Sequence, residues 1–249
     1  MTPITVEADA ELSSFQHRLD YNDVEGRDRW TVGAVNAWVR ATLPAVLASS
    51  SPSAVVLDVG CAEQPFRSFI ESSGRRYVGM DVVQNTRGSV EILSTLEAAP
   101  DAAPGYAVIL CTEVLEHVRD INAAFAGLRR LCAIGGAVVV TVPFIFPLHM
   151  EPYDYRRLTM HGLRQLAVDH GFAVETTTMI GQLPQILAML VDDASILPVS
   201  RAWLAKVKVA MLRVAAKGLV RLLDSAMLTK GIAINSNCYL TNGIVLRAQ

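Results

Sequence analysis

The stretch "AVVLDVGCAEQPFRSFIESSGRRYVGMDV", residues 54–82, holds the topology of the chain in miniature. It opens on an apolar, β-branched run that reaches Asp58 and Gly60, passes through a turn into a short helical stretch, and closes on a second apolar run ending at Asp81. Strand, helix and strand in that order make a βαβ unit, whose two strands lie parallel. In an open α/β sheet ligands bind outside the carboxyl ends of the strands, so the loop around Gly60 is where a nucleotide would sit. A dinucleotide loop, however, needs G-x-G-x-x-G, so that bare backbone can approach a pyrophosphate. Here Gly60 stands alone, Ala62 fills the second glycine position, and Gln64-Pro65 follow. Proline has no N–H to offer an anion, so a pyrophosphate is disfavoured.

On either side of this unit, strands and helices go on alternating. Residues 55–58 and 77–81 are its own strands and 64–73 its helix, with Pro65 suited to a first turn and Gly74 to a helix exit. Residues 90–93, 107–111, 137–142 and 172–178 read as further strands, and 137–142 is an unbroken apolar run of the kind covered on both faces. Residues 120–131 read as a helix capped by Asp120, and residues 161–170 as another. Upstream, Trp30, Val32, Val35, Trp38, Val39 and Leu43 have helical spacing, which gives one or two helices up to about residue 48. The pattern predicts an α/β fold, a parallel sheet with helices on both faces. Residues 182–232 are helical by spacing, and "NCYLTNGIVLRA" (237–248) supplies a last strand, so a helical insertion before the final strand is expected. The expected organisation is an N-terminal arm and covering helices over 1–50, a nucleotide-binding core over 51–181, a helical insertion or lid over 182–236, and the core's final strand over 237–249.

The 249 residues suffice for one large α/β domain. Hydrophobic residues make up 51% and charged residues 18%, the balance of a globular chain rather than a disordered one. A formal net charge of −2 gives no electrostatic ground for a nucleic-acid partner. Cys61, Cys111, Cys132 and Cys238 form no C-x-x-C pair, and three lie in or beside apolar runs, which predicts reduced thiols and a cytoplasmic location. The first twenty residues carry acids and no long apolar block, unlike a signal peptide. No run reaches the roughly 20 uninterrupted apolar residues of a membrane span.

Asp81 falls 21 residues after Gly60, where an acid takes a pair of ribose hydroxyls. A site with ribose and adenine but no diphosphate describes S-adenosylmethionine. "VVLDVGCAEQPF", "YVGMDV", "ILCTEVLEHV" and "VVVTVPF" resemble the successive motifs of class I S-adenosylmethionine-dependent methyltransferases. The resemblance runs from about residue 55 to 172 and implies a seven-stranded Rossmann-like sheet. Residues 143–159, "PFIFPLHMEPYDYRRLT", resemble a loop of bacterial methyltransferases from polysaccharide and natural-product clusters, P-F-x-x-P-x-H-x-x-P-x-D-Y-x-R-x-T. Arg156 is the unassigned residue between Tyr155 and Arg157. By this resemblance Asp58, Gly60, Cys61 and Ala62 line the methionine end of the cofactor, with backbone amides of the loop meeting its carboxylate. Asp81 takes the ribose hydroxyls, Val82 stacks on adenine, and Thr112 and Glu113 lie beneath the sulfonium. The sequence departs from the family at Ala62, at Ala107, where an acid often begins the strand, and over "STLEAAPDAAPG" (94–105), which replaces the segment that contacts adenine. Asp58 also reads as a turn or helix cap.

Methyl transfer to a hydroxyl is an in-line displacement that benefits from a base. His149 and His117 are the candidates, because histidine titrates near neutrality and both follow strands at the carboxyl edge. His149, Tyr153, Asp154 and Arg157 are expected to meet the acceptor, a small molecule or glycan; Asp154 with Arg157 also reads as an ion pair anchoring the loop, and His117 as a helix cap. Glu113, Glu116, His117, His149, Glu151 and Asp154 form a second, oxygen-rich set that would suit Mg²⁺, although their spacing does not define a metal site. In the insertion, residues 201–227 read as a basic amphipathic helix with Lys206, Arg213, Lys217 and Arg221 on one stripe, open to a peripheral membrane contact, a lid or a homodimer interface. The activity expected is O-methylation of a sugar hydroxyl. Methylation of a non-sugar small molecule, a membrane-surface protein with a non-catalytic cofactor site, and an NAD(P) oxidoreductase are the alternatives.

Overall fold

The computed structural model describes residues 28–101, 105–192 and 238–249, with isolated helical positions between 207 and 218. The elements in chain order are α1 (Asp28–Ala48), β1 (Val55–Val59), α2 (Arg67–Ser72), β2 (Arg76–Asp81), β3 (Ile92–Leu93), β4 (Tyr106–Thr112), α3 (Ile121–Leu131), β5 (Cys132–Pro143), α4 (Met160–Asp169), β6 (Phe172–Ile180), α5 (Leu183–Asp192) and β7 (Thr241–Ala248). They form a seven-stranded sheet of order β3-β2-β1-β4-β5-β7-β6. The chain leaves β1 outward on both sides of it, so β1 and β4 flank the topological switch point where α/β sheets bind their ligands.

The expected parallel sheet needs one correction: β7 runs antiparallel to both β5 and β6, and the sheet is mixed. The cause is a strand from the end of the described chain slotted between two earlier ones. The other differences have local causes. The helix expected over 64–73 is only α2, because Gln64 adopts φ 60° and keeps the turn ahead of Phe66 out of the helix. Gly74 ends α2 with φ 81°, as its sequence position implies. The residues upstream form one helix, which runs through Pro44. Strand β5 begins five residues earlier than expected, with residues 133–136 bulged out between the pairs Tyr106–Cys132 and Val108–Ala137.

Period-two alternation divides the core. Leu57, Val59, Ile109, Val138 and Val140 face α3 and α4, packing on Phe125, Leu128 and Leu163. Val56, Val108, Leu110 and Val139 face α1 and α2, packing on Val35, Val39, Leu43 and Ile70. A small third cluster joins Ile186 and Met189 of α5 to Leu240, Trp30, Ile145 and Phe146, which seats α5 against the start of the loop after β5. Among the described residues no helix is long and apolar enough to cross a membrane. The basic stripe of Lys206, Arg213, Lys217 and Arg221 and the arm over 1–25 lie outside the described residues.

Candidate active site

Two layers of structure meet at the carboxyl edge of the parallel strands. The first is the loop after β1. Gly60 turns it with φ 66°, and Ala62 and Gln64 also take left-handed backbone at 43° and 60°. A Cβ on Gly60 would lie 2.4 Å from Val114 Cγ2, so this glycine is bare in order to admit the turn that follows β4. The amides expected to meet a ligand carboxylate are committed within the protein. Gly60 and Cys61 N–H donate to the Met80 carbonyl at 2.8 and 3.2 Å, and Ala62 N–H donates to Asp81 Oδ2 at 2.8 Å.

Side chains to which the sequence reading gave no binding role hold this loop in place. Glu63 is buried and accepts from Thr86 N–H and Oγ1–H at 2.9 and 2.8 Å. Gln64 exchanges hydrogen bonds with Ser89, and the Asn85 amide donates to the Ala62 carbonyl. Gly79 leaves room for this network, since a Cβ there would come within 2.7 Å of Gln64 Nε2.

Asp58 and Asp81 end up in different settings. Asp58 is 1% exposed, on the face that packs under α1 and α2, and accepts from the Tyr77 hydroxyl at 2.6 Å. Burial pushes its carboxyl from 3.8 up to about 7, against the pull of that hydrogen bond. Asp81 lies at the open edge. Its Oδ1 accepts from Val82 N–H at 2.7 Å and from Val83 N–H at 3.4 Å, while Oδ2, which accepts from Ala62 N–H, keeps a second lone pair for a hydroxyl donor. Val82 beside it is 43% exposed, an apolar face at the same edge. Thr112 is buried at the end of β4. Glu113 follows with φ 53°, its N–H on the Thr141 carbonyl at 3.0 Å and its buried Oε1 without a hydrogen-bond partner among the described residues. Burial raises the Glu113 carboxyl to about 7.

The second layer is the loop over residues 143–159, folded onto the turn over 113–119. Tyr155 N–H donates to the Glu116 carbonyl at 2.9 Å, and the Arg156 guanidinium donates to the carbonyls of Leu115, Val118 and Arg119. Arg156, unassigned in the sequence, is the clamp between the two segments. The Arg157 guanidinium pairs with both Asp154 oxygens and reaches the Phe146 and Pro147 carbonyls, so this ion pair anchors the loop, one of its two expected roles. Burial would raise Asp154, but Arg157 and the His149 N–H outweigh it and hold the carboxyl below its ordinary value.

The clamp brings the two candidate bases together. The His117 and His149 rings stand edge to face at 4.8 Å, with Phe146 edge-on to His149 at 5.0 Å. His117 Nδ1 meets the Tyr153 carbonyl at 3.1 Å, so Tyr153 acts here through its backbone, and His117 joins two loops instead of capping a helix. Burial and the neighbouring His149 lower His117 to about 4, which keeps it neutral. Glu116 is 1% exposed beneath both rings, and burial raises its carboxyl well above the ordinary range. Of the six residues expected to converge around Mg²⁺, the group whose ligand atoms fall within 4.8 Å of one another is Glu116, His117 and His149. Glu151 is exposed. Two imidazoles and one carboxylate do not make the oxygen-rich shell that Mg²⁺ prefers.

Among the described residues the edge thus offers acidic groups, Asp81 and Glu113, whose Oε1 has no hydrogen-bond partner there, while the amides of Gly60, Cys61 and Ala62 are already engaged. Such a set fits a cationic ligand that carries a ribose diol, as S-adenosylmethionine does.

Comparison with known proteins agrees. The profile of a family described as a methyltransferase domain matches residues 34–177. No protein of curated function matches by sequence. Among solved structures, 1,6-didemethyltoxoflavin-N1-methyltransferase of Burkholderia thailandensis, with bound 1,6-didemethyltoxoflavin and S-adenosylhomocysteine, superposes with TM-score 0.58 at 17% identity over 100% of this chain and 93% of its own. Magnesium protoporphyrin IX methyltransferase from Synechocystis PCC 6803, with bound S-adenosylmethionine, gives 0.57 at 12% identity over 100% of both chains. The [4+2]-cyclase SpnF gives 0.56 at 12% identity over 85% of this chain and 80% of its own. At these identities the likeness establishes the fold.

Proposed function

Because the chain belongs to the methyltransferase-domain family, and is thus an S-adenosylmethionine-dependent methyltransferase, we propose that it methylates a sugar hydroxyl of a glycan, glycolipid or small natural product. The observation that carries the proposal is the seating of His149 against His117 and Glu116, on a loop clamped over the turn that leads from Glu113. The resemblance of residues 143–159 to loops of polysaccharide-cluster methyltransferases points the same way.

S-adenosylmethionine, when bound, supplies an electrophilic methyl on a sulfonium, and its transfer breaks the S–C bond as an O–C bond forms, leaving a neutral thioether. Asp81 accepts hydrogen bonds from the ribose hydroxyls, and Val82 offers its apolar face to the adenine. Asp58, Gly60, Cys61 and Ala62 set the shape of the methionine end. Glu113, beyond Thr112, answers the positive charge. The loop over 143–159, backed by α5, excludes water from the acceptor side and holds the acceptor in line, an effect worth up to about 7–11 kcal/mol in the best aligned cases. A hydroxyl acceptor must lose its proton, and His149 receives it, with His117 as the second candidate. Asp154 fixes the ring of His149, accepting from its backbone N–H at 3.1 Å and lying 3.2 Å from Nδ1. A glycolipid acceptor would give the stripe of Lys206, Arg213, Lys217 and Arg221 an anionic membrane surface to meet; a homodimer built through that segment is the other use of it.

Calorimetric titration with S-adenosylhomocysteine, with NAD in parallel, tests the cofactor. We expect micromolar binding of the first alone, and a more than tenfold weaker affinity in Asp81→Ala; binding of NAD alone would overturn the reading. For the acceptor, a methyl-transfer assay across sugars and oligosaccharides is expected to show turnover that His149→Ala abolishes without changing affinity for S-adenosylhomocysteine. Turnover retained in that variant would reduce His149 to a scaffold residue.

A further inference from the structure

The hydrogen bonds around His117 and His149 determine which nitrogen of each ring carries the proton. His117 Nδ1 faces the Tyr153 carbonyl at 3.1 Å, and His149 Nδ1 faces the Pro147 carbonyl at 3.3 Å and Asp154 Oδ2 at 3.2 Å. A carbonyl and a carboxylate only accept, so Nδ1 donates in both rings and Nε2 bears the lone pair in a neutral imidazole. The two Nε2 atoms lie 3.6 and 3.8 Å from the same atom, Glu116 Oε1. Those separations are too long for hydrogen bonds. Both Glu116 oxygens are buried without a hydrogen-bond partner among the described residues. Three lone-pair donors therefore converge on one point. In metal sites, too, the ring nitrogen of a ligating histidine that faces away from the ion donates to a carboxylate or backbone carbonyl, which fixes the tautomer and aims the ring.

We infer that Glu116, His117 and His149 bind one divalent transition-metal ion of the zinc type, with a coordination position left open for an acceptor hydroxyl. Imidazole nitrogens with one carboxylate suit zinc-type ions rather than Mg²⁺. Tetrahedral bonds of about 2.0–2.1 Å set ligand atoms roughly 3.3 Å apart, so the three groups need only draw inward. Three protein ligands and an open position are the arrangement of catalytic rather than structural zinc. The role at the acceptor rests on the methyltransferase reading above. This role replaces the base assigned to His149 above: with the ion bound, a hydroxyl at the open position would ionise more readily and release its proton to the medium, and His117 and His149 would hold the ion. Asp154 and the Tyr153 carbonyl are positioning groups for the two rings.

The test uses the untagged full chain, stripped with a chelator and dialysed against Zn²⁺, with retained metal measured by mass spectrometry. About one equivalent is expected in wild type, and Co²⁺ loading should give the intense visible absorption of a four-coordinate site. His117→Ala should retain no zinc above background, and Asp154→Asn should weaken zinc binding about 10–100-fold. Glu116→Gln keeps the side-chain shape, and it should melt no lower than metal-free wild type yet lose the zinc-dependent rise in melting temperature. Failure of wild type to retain zinc, or equal retention in His117→Ala, or an equal zinc-dependent rise in Glu116→Gln, would overturn the site. Titration with S-adenosylhomocysteine runs alongside: binding of it without zinc retention sinks the metal site and leaves the methyltransferase reading standing, and zinc retention without it does the reverse.

Discussion

Asp58 sits inside β1 with its carboxylate turned into the apolar layer beneath α1 and α2, bonded to the Tyr77 hydroxyl. Its folded-state pKa, about 7, stands above the ordinary 3.8, so between these values the folded chain holds a proton that the unfolded chain has lost. Stability from this group is therefore fully present below the lower value and is lost as pH rises through the upper one. Asp58→Asn should lose less melting temperature than wild type between about pH 5 and pH 8, as followed by calorimetry; equal losses would show that Asp58 ionises freely in the fold. That an acid stood here was legible in the sequence, and so, by alternation with Val56, was the face it occupies. Its hydrogen bond to Tyr77 was not, because the pairing needs the parallel register of β1 and β2, which sets Asp58 beside Gly79, two residues from Tyr77. Gly60 teaches a related point. Its position in the loop was read correctly, but its bareness serves the Val114 side chain, a contact made across 54 residues.

The loop over 143–159 and the turn over 113–119 behave as one element, though they lie far apart in sequence. Arg156 joins them by donating to three carbonyls of the turn that carries Glu116 and His117. Hydrogen bonds of a charged donor contribute about 1.5–3 kcal/mol, so Arg156→Ala should destabilise the protein by roughly that amount. It should also cut methyl transfer while leaving affinity for S-adenosylhomocysteine intact, because Asp81 and the loop after β1 are untouched; chemical denaturation and calorimetry would check the two parts separately. The motif in the sequence named His149, Asp154 and Arg157, and these do come together with His117. It left Arg156 out because a residue whose partners are backbone carbonyls has no complementary residue type to pair it with in a sequence.

Across the whole molecule, the alternating strands and helices, the two-faced core and the helix stop at Gly74 were legible because each rests on local periodicity or on a single backbone preference. The antiparallel setting of β7 was not, since nothing in "NCYLTNGIVLRA" records which two strands it will separate. The loop after β5 was half legible: its polar residues were visible, but the seating of α5 against Ile145 and Phe146 was not, because it rests on contacts between segments distant in sequence. The position of β7 also governs how the protein is made. Strand β6 is joined to the sheet through β7, so during synthesis, while the ribosome still holds residues 241–248, the growing chain has β5 and β6 but no strand to link them. For the whole time taken to translate residues 181–240, two unsatisfied strand borders face the crowded exit of the ribosome, and chaperones have that interval in which to shield them.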